Sequence, residues 1–117
     1  MPQLISAPVR IPAPGDKIIN EHVGLISTGT LAVSVAHMVA PPNWGEPFQT
    51  PEFDEITLVL AGTMVVEHEG GSTSVLAGQS ILTGAGERVR YSCGEDGAEY
   101  VAVCLPAFSP NAVNREA

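Results

Sequence analysis

Turn signals recur along this chain at short and fairly even intervals, and they constrain it more than any other feature. They fall at Pro14-Gly15, Thr28-Gly29, Pro41-Pro42-Asn43, Ala61-Gly62, Gly70-Gly71, Ala77-Gly78, Gly84-Ala85-Gly86 and from Cys93 to Gly97. Glycine and proline so placed interrupt any long helix. The runs between them have strand length and are rich in Val, Ile, Leu, Thr and Tyr: residues 31–39, 55–60, 63–69, 73–76, 80–83, 88–92 and 99–105. Short β-prone runs divided by regular turns predict an all-β sandwich or barrel. Gly70-Gly71 has the conformational freedom of a two-residue hairpin, so the runs on either side should pair antiparallel. One short helical turn could form over residues 17–23, where Ile18 with His22 and Ile19 with Val23 lie four apart, before Gly24 stops it.

A chain of 117 residues fits one domain that buries roughly two-thirds of its unfolded surface. With 44% hydrophobic and 15% charged residues it is globular rather than disordered. Residues 30–108 are expected to form the barrel, 1–29 an arm packing on it or on a partner, and 109–117 a loosely held tail. No segment approaches the ~18 apolar residues of a membrane helix, and residues 1–11 lack a basic region followed by an apolar stretch, so a soluble cytoplasmic protein is expected. Cys93 and Cys104 are in no CxxC arrangement and read as two small buried apolar residues.

Net charge is −8, and no Lys or Arg occurs between Lys17 and Arg88, whereas Glu21, Glu46, Glu52, Asp54, Glu55, Glu67, Glu69 and Glu87 all fall there. A polyanion would be repelled, which argues against nucleic acid and anionic membranes as partners. A cation, a metal or a neutral polar molecule stays admissible.

The segment PPNWGEPFQTPEFDEITLVLAG, residues 41–62, resembles the first signature of the cupin superfamily. In that signature a turn leads to a His-x-His pair, then a Glu four residues on and a Gly seven residues further. Glu55 and Gly62 match that spacing. Gly78 and Gly84-Ala85-Gly86 are similar to the glycines of the second signature. The resemblance implies a double-stranded β-helix, the jelly-roll barrel of cupins. It also implies where metal ligands would lie: the two motif-one histidines fall on Gln49 and Pro51, the glutamate on Glu55 and the motif-two histidine on Val89. The usual three-histidine, one-glutamate site is therefore excluded. Among cupins the chain resembles small single-domain bacterial members with degenerate metal motifs, the ethanolamine-utilisation type included, from which no activity is carried over.

Side chains two apart share a strand face, so Gln49, Pro51, Phe53 and Glu55 should point inward together, as should Val89, Tyr91 and Cys93. Gln49, Glu55 and Tyr91 are thus pocket candidates. Glu55, desolvated in an apolar cavity, would have a raised pKa and could act as a catalytic acid or base; hydrogen bonding to Gln49, Tyr91 or a buried water is the structural alternative. His37 shares a face with Val33, Val35 and Val39 and could reach the cavity, although a lone His on an apolar face is ordinarily a core or interface residue. Trp44 could wall the pocket mouth and stack on a ligand, or simply cap the core.

The reading is a small-molecule-binding cupin barrel of unassigned ligand, with no cofactor required and its status as an enzyme open. One alternative is a metal-dependent isomerase, lyase or dioxygenase acting on a small organic acid or sugar, with a divalent metal on Glu55, Gln49 and His37. The other is a structural oligomeric barrel. A homodimer is expected, in which the apolar segment 4–11 adds a strand to a neighbour's sheet.

Overall fold

In a computed structural model covering residues 1–117, seven strands form one antiparallel sheet and no helix is present. They are β1 (Val9–Ile11), β2 (Ile18–Val23), β3 (Ser34–Ala40), β4 (Asp54–His68), β5 (Gly71–Leu76), β6 (Ser80–Thr83) and β7 (Arg90–Leu105). The hydrogen-bonded order is β1-β2-β3-β7-β4-β5, and β6 pairs with β4. Two long strands organise the rest. The first half of β4 lies between β6 and the second half of β7, with Glu55 opposite Thr83 and Cys104. Its second half lies between β5 and the first half of β7, with Met64 opposite Val75 and Cys93. Register shifts between Val59 and Ala61 and between Gly62 and Met64 bend the pair, which folds the sheet onto itself.

The predicted runs 55–60 and 63–69 are therefore one strand, and so are 88–92 and 99–105. The hairpin is where the sequence puts it, displaced by one residue: His68 pairs with Gly71, so Glu69 and Gly70 make the loop. Residues 17–23 are a correction, because residues 18–23 form β2 and no helical turn is present. Ile18, Ile19 and Val23 are β-branched, and β2 finds partners on both sides, β1 and β3, whose ladders outweigh one isolated helical turn. Val9–Ile11 pairs with β2 of its own chain and is the end strand of the sheet.

The tail expected to be loose is pinned. Gln49 bridges Arg115, the Glu116 amide donates to the Phe48 carbonyl at 2.8 Å, and Val113 is buried against Phe53 and Cys104. The main core collects inward side chains of β3, β4, β5 and β7, among them Ala40, Val59, Met64, Val66, Val75, Tyr91 and Tyr100.

Candidate functional site

On β3 the inner face carries Ser34, Ala36, Met38 and Ala40, and on β7 it carries Tyr100, Ala102 and Cys104. The register sets Ser34 opposite Cys104 and Ala36 opposite Ala102. Small side chains facing one another cannot fill the space between the sheet's two halves, and a cavity of about 280 Å³ remains, lined by all four. Twelve of its 22 lining residues are hydrophobic, so the polar ones stand out against an apolar wall.

One polar row crosses that wall. Ser34 faces Cys104, Cys104 faces Glu55 and Glu55 faces Thr83, whose hydroxyl lies 3.0 Å from the Tyr91 hydroxyl. Gln49 enters from the segment before β4. It is held by a two-way backbone bridge to Val89 at 2.9 Å each way, which brings the two signature segments side by side. Gln49, Glu55 and Tyr91 thus line one cavity.

His37 is a correction to the sequence reading. It lies on the opposite face of β3, with its Nε2 2.6 Å from Glu99 Oε2, and is no part of the cavity wall. The stripe of Val33, Val35 and Val39 suggested an interior face, but the outer surface of this sheet is itself apolar. Val35, Val103, Ile56 and Leu82 run across four strands there in register. Trp44 is also absent from the wall; it packs on the main core and supports Lys17, whose Nζ lies 4.0 Å from its ring centre.

Sequence reasoning missed Lys17, Arg115 and Tyr100 as cavity residues, and read Glu46 only as one of the acidic residues between Lys17 and Arg88. A signal for Lys17 was present: the chain's other basic residues are Arg10, Arg88, Arg90 and Arg115, which leaves it the sole lysine. Arg115 lies in the tail, and its Nη2 reaches Glu46 Oε2 at 3.6 Å while its Nε donates to Gln49 Oε1 at 3.5 Å. Glu21 also lines the cavity, but its carboxylate is engaged, accepting from the Ile26 and Ser27 amides at 3.1 and 2.7 Å.

Burial governs the electrostatics. The Glu55 carboxyl is pushed up to about 7, first by loss of water and then by the Glu46 charge, with Lys17 opposing. Its own hydrogen bonds are long: Thr57 Oγ1 donates at 3.4 Å and Cys104 Sγ at 3.9 Å. Glu55 is half-buried by its surface and lines the cavity. Glu46 is also raised by burial, and the Lys17 amine is lowered by burial against the pull of Glu46 and Glu55. Burial likewise raises the Tyr91 phenol and the Cys104 thiol, so both stay neutral at ordinary pH.

The donors present do not fit a resident transition metal. Gln49, Pro51 and Val89 stand at three of the four positions where the cupin signatures place ligands, and no three His, Cys, Asp or Glu side chains converge anywhere.

No family model matches the chain. It is 43% identical over 107 residues to the endoribonuclease YbeY of Myxococcus xanthus, a match that takes in 91% of this chain but only 36% of that protein's length. Among solved structures, a Bacillus subtilis oxalate decarboxylase superposes with a TM-score of 0.79 at 19% identity, over 95% of this chain and 31% of that one. A putative ethanolamine utilization protein Q from Salmonella typhimurium gives a TM-score of 0.64 at 24% identity, over 81% of this chain and 73% of the other. A Rhizobium leguminosarum protein of unknown function gives 0.66 at 21% identity, over 80% and 85%. The ladder, the pairing of Gln49 with Val89 and these superpositions agree on the fold, a double-stranded β-helix of the cupin kind.

Proposed function

We propose that this cupin barrel binds a small polar or neutral molecule in its interior, gripped by Gln49, Glu55 and Tyr91 against apolar walls. The observation that carries the reading is the hollow left by Ser34, Ala36, Ala102 and Cys104, with the weakly satisfied Glu55 carboxyl on its wall. About 280 Å³ is near the lower end of ordinary ligand pockets, which suits a small metabolite rather than a nucleotide. A carboxyl balanced near neutrality both donates and accepts hydrogen bonds, and Gln49 does the same. Such groups orient a ligand's hydroxyl or carbonyl oxygen.

Trp44, the only tryptophan, packs on a residue of the cavity wall and so reports occupancy. Titration with a panel of small polar metabolites should give a saturable change in its fluorescence. At a hundredfold excess over Kd, binding should also stabilise the fold by about 2.7 kcal/mol. Ala36→Leu, which places a larger side chain in the hollow, should abolish both effects while the fold is kept. Unchanged binding by that variant would contradict the proposal.

A second reading, an enzyme with Glu55 as acid or base, is favoured by the position of its pKa near 7, where proton transfer in either direction is efficient. Glu55→Gln would then lower turnover by roughly 10² to 10⁴ while binding survived. RNA cleavage, named for the M. xanthus protein, is not adopted for this chain. It spans about a third of that protein, and its charge of −8 repels a phosphodiester backbone.

A further inference from the structure

We propose that Lys17 is a Schiff-base lysine, whose amine captures the carbonyl carbon of a small aldehyde or ketone bound in the cavity. The inference rests on the reading of the cavity as a small-molecule site and names the class of ligand it takes.

Lysines are ordinarily found on the surface in numbers, because a flexible ammonium is strongly hydrated. Here a chain of 117 residues has one, and it lies in the wall of the cavity. Its Nζ is placed by rings, 4.0 Å from the centre of Trp44 and 5.5 Å from that of Tyr100. None of the four ion pairs in the structure includes it. The amine is thus held in position without being committed to a carboxylate. Burial shifts it toward the neutral form, the nucleophilic one, although the Glu46 and Glu55 charges work the other way.

The same cavity supplies what imine formation needs besides an amine. The Lys17 nitrogen adds to the carbonyl carbon, the π pair moves to oxygen, and a proton passes from nitrogen to that oxygen to give a carbinolamine. The neutral Glu55 carboxyl then protonates the hydroxyl, the C–O bond breaks and water leaves. An iminium remains on Lys17, and the Glu55 carboxylate balances its charge. No oxidant or reductant enters. The apolar wall excludes the bulk water that would drive hydrolysis.

The single lysine makes the test clean, since the only other amine is the α-amino group of the fully exposed Met1. The full-length protein is treated at pH 7 with propanal and, separately, pyruvate, each with cyanoborohydride to reduce any imine, and adducts are located by peptide mapping. An unperturbed lysine is about one part in 2,500 neutral at that pH and an α-amine about one part in seven, so ordinary chemistry would favour Met1 several hundredfold. The proposal expects Lys17 to carry at least as much adduct as Met1 with one or both probes, and Lys17→Arg to leave only the Met1 adduct. Adduct on Met1 alone with both probes would overturn it. Trp44 fluorescence, followed in parallel, separates the two failures: a saturable response to the probes without a Lys17 adduct sinks the Schiff base and leaves the cavity reading intact. If propanal, pyruvate and the metabolite panel all give no response and no adduct, both fall.

Discussion

Glu55 stands between Cys104 on one neighbouring strand and Thr83 on the other, yet its carboxyl receives only long contacts at 3.4 and 3.9 Å. Burial without adequate donors favours the protonated acid, and this couples folding to pH. The unfolded carboxyl titrates near 4.5 and the folded one near 7. Between those values the folded state binds more protons than the unfolded state, so the stability due to Glu55 is fully present below pH 4.5 and is lost as pH rises through 7. A difference of that size corresponds to about 3 kcal/mol. Glu55→Gln, neutral at every pH, should therefore be more stable than the wild type by up to about 3 kcal/mol at pH 8 and within about 1 kcal/mol of it at pH 4. Urea unfolding at the two pH values checks this; a variant no more stable than the wild type at pH 8 would show that the carboxylate is not desolvated.

The long strands β4 and β7 decide how the elements meet, and the bend they share turns on glycines. Gly62 has a φ of +75°, and a Cβ placed on it would lie 2.2 Å from the Gly97 carbonyl oxygen, a backbone atom that cannot move aside cheaply. Gly62→Ala should destabilise the fold by about 3 kcal/mol, from left-handed backbone strain together with overpacking. A urea midpoint within the equivalent of 1 kcal/mol of wild type would contradict that account. The strands themselves were largely legible, because β-branched residues between turn signals mark them. Their continuity was not: Gly62, Gly94 and Gly97 read as turns, whereas the sheet uses them inside its two longest strands. The segment 17–23 was misread for a related reason. Apolar residues four apart share a face in either a helix or a strand, and only pairing with β1 and β3 settles the choice.

For the whole molecule, spacing within the signature segments pointed to the barrel, and the two-residue period of a strand placed Gln49, Glu55 and Tyr91 on its inner side. What local pattern could not supply were residues brought in from a distance. Lys17 comes from the residue just before β2 and Arg115 from the pinned tail, and both reach the cavity through strand order and closure. His37 failed for the opposite reason, since an apolar stripe was equated with the interior in a sheet that is apolar outside as well. The account depends on that closure keeping bulk water away from position 55. A carbon-13 NMR titration of the side-chain carboxyl carbons, with Glu55 assigned by comparison with Glu55→Gln, measures this directly. A midpoint near 7 is the predicted result, and a midpoint near the ordinary 4.5 would contradict it.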